Sequence, residues 1–214
     1  MAEEINPKLH VYNVTVRIIF QLDNSLQDGE TKKVLAELKQ AFINPDSPVE
    51  RSAKLINQFA DEHLINAYAK GNEKGIAILS ALKLYGMYQS GNNNSLISFI
   101  KNPDVMSIGH LFKQLRRDDT SALTDKRFNN LLSAHTLDEY NEALLTLMES
   151  YKKVRKHNQQ TKFPFALYAV EMYLYQFGDT KQLIVNKWSK AYYTNNFKPK
   201  EENPIEGDTA DDTK

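Results

Sequence analysis

Apolar residues recur along most of this chain at three- and four-residue intervals, the spacing of one face of an α-helix. No segment alternates apolar and polar residues as a half-buried strand does. The first helix is predicted over residues 9–22, with Tyr12, Val16, Ile19 and Phe20 on its stripe. "TKKVLAELKQAF" follows, with Val34, Leu35, Leu38 and Phe42 inward. "SPVE" at 47–50 reads as a capping box, with Ser47 as cap, Pro48 at the first helical position and Glu50 three residues after the cap. The helix it opens is expected to run through Ile56, Phe59, Leu64 and Tyr68 and to stop at Gly71. "ILSALKLYGMYQSG" gives another, closing at Gly91, and "GNNNSLISFIKNPDV" is a turn-rich connection with a short apolar insert.

The second half repeats the pattern. "SIGHLFKQLRRDD", residues 107–119, places Ile108, Leu111, Phe112 and Leu115 on one stripe and His110, Lys113 and Arg117 opposite, with Arg116 on the flank. "DKRFNNLLSA" is helical with Leu123, Phe128 and Leu131 inward. "TLDE" at 136–139 is a second capping box, opening a helix through Tyr140, Leu144, Leu147, Tyr151 and Val154. Pro164 starts "PFALYAVEMYLYQF", which closes at Gly178. Asp179 with Gln182 caps the last helix, and Trp188 falls on its core stripe with Ile184 and Ala191. The fold class is therefore all-α: about nine helices in two small bundles packed together, residues 1–94 and 95–197, jointed near "GNNNS".

Charge alters this picture at the carboxy terminus. The chain of 214 residues has a formal net charge of zero, yet residues 198–214 hold three Lys and six Asp or Glu and no aromatic residue. That stretch is expected to be a disordered acidic tail, because it has too little apolar surface to offset its ordering entropy. Without it the body carries 24 basic and 21 acidic residues, so a polyanion would be met by local patches and not by bulk charge. The absence of cysteine excludes disulfides and thiolate metal sites. "MAEEINPKLH" is not expected to be a signal peptide, and no apolar run approaches the ~20 residues of a membrane span. A reducing cytoplasm is the expected location.

Catalytic motifs are missing. His10, His63, His110, His135 and His157 fall on different predicted helices, without the spacing of a helical zinc pair and without HExxH. "ADEHL" at 60–64 sets two carboxylates beside His63, a pattern that a solvated helix face also explains. There is no glycine-rich phosphate loop, no G-x-S-x-G elbow and no cysteine nucleophile. No enzyme, cofactor or metal is predicted. Three basic stretches remain: Lys113, Arg116 and Arg117; "YKKVRKHNQQTK", with Lys152 and Lys156 pointing out and Arg155 flanking; and "NKWSKAYY", where Lys187 and Lys190 bracket Trp188. Each pattern fits either a solvated helix face or an anion-binding one.

In order and spacing, "ALKLYGMYQSG", "SIGHLFKQLRR", "DKRFNNLLSA" and "NKWSKAYY" resemble the small subunit (CasB family) of the type I-E CRISPR surveillance complex, Cascade, over roughly residues 10–195. Gly86 and Tyr88 stand where that family's helix carries alanine and histidine, and His110 stands where a basic residue is expected. The resemblance implies a non-catalytic, all-helical subunit, paired head-to-tail with a second copy between the large subunit and the backbone subunits that carry the guide RNA. It implies backbone contacts to the opened target DNA, both the strand paired to guide RNA and the displaced strand. It carries over Lys113, Arg116 and Arg117, the pair Lys126 and Arg127 before Phe128, and Lys187 and Lys190. Arg127, at the edge of its stripe, suits a structural salt bridge equally well. Lys152, Arg155 and Lys156 match none of these motifs and rest on charge pattern alone. The alternative is a helical protein–protein adaptor without direct nucleic-acid contact.

Overall fold

The computed structural model describes residues 6–60, 64–65, 72–98, 106–116, 121–154 and 161–194. Among the described residues the secondary structure is helical: α1 (Pro7–Asn24), α2 (Gly29–Ile43), α3 (Glu50–Phe59), α4 (Glu73–Gln89), α5 (Ile108–Lys113), α6 (Ser121–Leu132), α7 (Leu137–Val154), α8 (Phe165–Tyr175) and α9 (Gly178–Tyr193). The exception is one isolated parallel bridge, Ile97 to Phe163, which ties the connection after α4 to the entry of α8. The expected all-α class holds. The acidic stretch from residue 198 lies outside the described residues.

Helix α8 organises the core. Its sequence is apolar on nearly every side, as a helix must be when neighbours cover it all round. It packs against α1 and α4, both from the first half of the chain, and against α9, which follows it. One continuous buried cluster therefore runs from Val11 in α1 to Tyr192 in α9, passing the turn at "GNNNS". Other close pairs include α2 on α4, α6 on α7 and α5 on α9. Aromatic side chains fill the centre. Tyr85 and Tyr88 meet Phe165 edge-on at 5.1 and 5.6 Å, and Tyr140 and Tyr175 lie 5.7 and 5.6 Å from Trp188. Their hydroxyls are partnered, Tyr88 with Tyr151 at 3.1 Å and Tyr140 with Tyr168 at 3.0 Å, which removes most of the cost of burying them.

Several local expectations are corrected. In α1 the buried face is Val11, Val14, Ile18, Ile19 and Leu22, so the stripe through Tyr12, Val16 and Phe20 lies towards the surface. In α6, Thr124 takes the inward position and Leu123 is exposed. Helix α3 ends at Phe59, short of Leu64, and buried Leu64 and Ile65 instead donate their backbone N–H groups to Asn57 Oδ1 at 2.9 and 3.0 Å. The Ser47 box does not form. Val49 precedes α3, and Glu37 on α2 caps it across the helix pair, accepting from Ser52 N (2.8 Å), Ser52 Oγ (2.7 Å) and Arg51 N (3.3 Å). Asp179 does not cap α9, whose first turn is closed by the Phe177 carbonyl, and Gly178 begins that helix instead of ending α8. The box at 136–139 forms in half: Thr136 Oγ1 accepts from Glu139 N at 3.1 Å, while Glu139 reaches past Thr136 and accepts from His135 N at 2.7 Å.

Two glycines set helix approaches. A Cβ on Gly86 would meet Leu38 Cβ at 2.7 Å, so α2 lies against α4 at backbone range. A Cβ on Gly109 would run into the Trp188 carbonyl and lie 2.9 Å from Ala191 Cβ, so α5 rests directly on α9. Gly109→Ala should therefore destabilise the fold by about 1–3 kcal/mol, since the obstacle is backbone and cannot swing aside. Gly29→Ala, where nothing stands within 4 Å, is the control and should be close to neutral in urea unfolding. Equal midpoints for the two variants would contradict the close approach. Trp188→Ala should cost about 3–5 kcal/mol by the same measurement, as removal of a wholly buried aromatic does.

Candidate nucleic-acid interface

The segment "SIGHLFKQLRRDD" begins with a short helix whose apolar stripe faces inward: Ile108, Leu111, Phe112 and Leu115 are all buried. Helix α5 ends at Lys113, sooner than the motif's periodicity suggests, and Leu115 sits in the turn beyond. At its start, the Ser107 backbone N–H donates to His110 Nδ1 at 3.1 Å. Burial pushes the His110 imidazole down to about 4, and the positive charges of Lys113 and Lys187 push in the same direction. The position at which the motif calls for a basic residue is therefore neutral at pH 7.

Lys113 and Arg116 meet where α5, α6 and α9 come together, and Lys126 and Lys190 stand exposed on α6 and α9 beside them. Lys113 Nζ donates to the Thr194 carbonyl, just past the end of α9, where orphan carbonyls favour a cation. Arg116 reaches α6 with a two-pronged pair to Asp125, 2.9 and 3.2 Å, and its guanidinium lies 5.4 and 5.5 Å from the ring centres of Tyr192 and Tyr193. Asp125 also accepts from the Tyr192 hydroxyl at 2.7 Å. Burial raises the Tyr192 hydroxyl pKa well above its ordinary value, and the bond to Asp125 raises it further. Lys126 and Lys190 are exposed and have no ion-pair partner among the described residues. Lys190 stands one turn before Tyr193 on α9, and Lys126 one turn before Asn129, whose Oδ1 accepts from the Tyr193 hydroxyl at 3.0 Å.

The other candidates are placed differently. Lys187 pairs at 2.8 Å with Glu171 of α8, a buried carboxylate that also accepts from Trp188 Nε1 at 2.7 Å. Lys152 does not point outward. It turns back to donate to the Met87 and Ser90 carbonyls, at 3.0 and 2.8 Å, closing the end of α4. Burial lowers its pKa, with the Lys39 charge a smaller cause. Arg127 donates to Ser150 Oγ at 2.8 Å and forms no salt bridge among the described residues. It lines an open groove of about 490 Å³ between α6 and α7 that also holds Glu139 and Glu142, surroundings that disfavour a phosphate. Arg117, Arg155, Lys156 and His63 lie outside the described residues. Among the described residues no group of three His, Asp or Glu could hold a metal ion, and no helix is long and apolar enough to cross a membrane.

Three participants escaped the sequence reading. Asp125 is nine residues from Arg116, a spacing with no helical meaning across a turn. Glu171 looked like a stray polar residue in an apolar helix. Tyr193 had a signal, since it follows the exposed Lys190 by one turn.

The architecture is that of an all-helical protein whose described residues bear a cationic junction and no catalytic constellation. A solved structure with this fold is CasB from Thermobifida fusca, with a TM-score of 0.64 and 13% identity, covering 86% of this chain and 98% of that one. No family model and no curated protein sequence matches the chain. The structural neighbour thus bears the name of the family that the four motifs resemble.

His110 supplies a test of this geometry. Its folded pKa lies below the unfolded one, so its contribution to stability is complete above about pH 6.5 and is lost as pH falls through about 4. Urea unfolding followed from pH 7 to pH 4 should lose part of its stability in that window, and His110→Asn should flatten the slope there. An unchanged slope would mean that the imidazole is not held neutral.

Proposed function

We propose that this chain is the non-catalytic small subunit of a type I-E RNA-guided CRISPR surveillance complex in the cytoplasm. In it, the subunit pairs with a second copy, bridges the large and backbone subunits, and steadies the opened DNA through phosphate contacts. The two bundles, residues 1–94 and 95–197, share α8 as their common support in this reading. What supports it most is the position of Lys113 at the α5–α9 contact, with exposed Lys126 and Lys190 on the adjoining helices, in a fold like that of CasB. Such a subunit has no sequence to read, because base pairing with the guide does that work. Opening the duplex is close to balanced in energy, so a few phosphate contacts per subunit suffice to tip it.

The reading as a pure protein adaptor draws on a different observation. Arg116, Lys152 and Lys187 are already engaged by this chain's own acceptors. The substitutions that separate the two readings are therefore those of the three lysines whose side chains carry no acidic partner. Lys113→Ala, Lys126→Ala and Lys190→Ala combined should leave the fold intact, at about 0.5 kcal/mol or less each. Binding of target DNA by the assembled complex should weaken evenly across target sequences, and the slope of log affinity against log salt should fall by at most about 3. Undiminished affinity with an unchanged slope would return the lysines to solvent. Failure of the folded variant to enter the complex would favour the adaptor.

A further inference from the structure

We infer that Tyr193 is a stacking platform for one unpaired base of the displaced DNA strand, an inference that rests on the nucleic-acid reading above. A tyrosine at the end of a surface helix is ordinarily free to swing. This one is held three ways: its hydroxyl donates to Asn129 at 3.0 Å, the Tyr192 ring meets it edge-on at 4.8 Å and 83°, and the Arg116 guanidinium stands 5.5 Å from its centre. It nevertheless remains 41% exposed. Fixing an aromatic ring by three contacts while leaving it in water adds little to a core. It does, however, prepay the rotamer entropy that a bound base would otherwise cost.

Charge complementarity selects the occupant. Lys190 lies one turn below the ring on α9, Lys126 one turn from its anchor on α6, and Lys113 at the Thr194 carbonyl beside it. An exposed ring with lysines on the helices that hold it suits a single strand, with phosphates on the lysines and a base on the ring. In the proposed complex the target strand is paired to guide RNA and its base faces are covered by their neighbours. The displaced strand is unpaired along its length and offers open bases to such a ring. Asn129 is a positioning residue here, since its side chain fixes the ring without reaching the strand.

The test uses the full chain and two oligonucleotides of equal length, oligo-dT and its abasic analogue, which share their phosphates but not their bases. The wild-type chain should bind oligo-dT more tightly than the abasic strand. Tyr193→Leu should weaken oligo-dT binding by roughly 5- to 100-fold while leaving abasic binding unchanged, and Tyr193→Phe should retain the preference. Asn129→Ala should reduce the preference partially. In the unaltered chain, a strand carrying 5-iododeoxyuridine should crosslink to Tyr193 under ultraviolet light. Equal wild-type affinity for the two strands, with a normal salt slope, would overturn the stacking role and leave the phosphate contacts standing. No binding to either strand would overturn the nucleic-acid reading and this inference with it. Crosslinks confined to other residues would also overturn the platform. Tighter binding of single-stranded RNA than of oligo-dT would overturn the assignment to the displaced strand.

Discussion

The cationic junction depends on residue 109 having no side chain. Helix α5 has six residues, far below the length at which a helix persists alone in water. It holds because four apolar side chains are buried beneath it, each contributing about 1.5–3 kcal/mol, and because its backbone lies flush on the Trp188 carbonyl. That contact fixes the distance between α5 and α9. Lys113 then reaches Thr194, and the chain leaving α5 brings Arg116 over Tyr192 and across to Asp125. Trp188 is held in turn by Glu171 from α8, the helix on which α1 and α4 also pack. The surface chemistry is thus tied to the deepest part of the core through one close backbone contact.

Across the structure the candidate basic residues divide by what burial costs them. A cation drawn out of water needs an acceptor, so Lys152, half-buried, is met by two carbonyls, and Arg116 by a carboxylate and two aromatic faces. Those residues shape the surface more than they charge it. Lys126 and Lys190, exposed to solvent, pay no such cost and are the ones left to act at long range. His110 shows the opposite resolution: with two lysines nearby and partial burial, it sheds its proton. A neutral imidazole between positive side chains keeps the junction from repelling itself.

Much of the fold was legible because the dominant signal is helical periodicity, which burial in a helical core enforces. The stripes of α5 and α7 and the inward Trp188 follow from it directly. The errors fall where tertiary contacts decide. In α1 the apolar residues spread over more than one face, so periodicity alone could not choose between Phe20 and Ile18. Ser47 lost its role to Glu37, a carboxylate thirteen residues before the helix it caps, which no local rule would connect. Asn6, Asp28 and Asn72 cap α1, α2 and α4 through ordinary side-chain bonds and were local signals that went unread. The candidate site was legible as a set of cations and illegible as a place. Only packing shows that Lys113, Lys126 and Lys190 share a junction while Lys152 and Arg127 serve other helices.

A sequence can diverge this far from a structural neighbour and retain its fold because what the fold requires is coarse. Volume and apolar pattern along the helices can be kept by many sequences, provided that a few exact contacts are satisfied. In this chain the exacting contacts are the backbone approaches at Gly86 and Gly109 and the Glu171 bond that orients Trp188. A surface that holds phosphates by charge is equally tolerant, since a lysine anywhere on the same patch serves. An aromatic platform is not tolerant, because a ring must lie within stacking distance and be held there. If Tyr193 has the role assigned to it, the constraint on this surface resides less in the lysines than in the ring they surround.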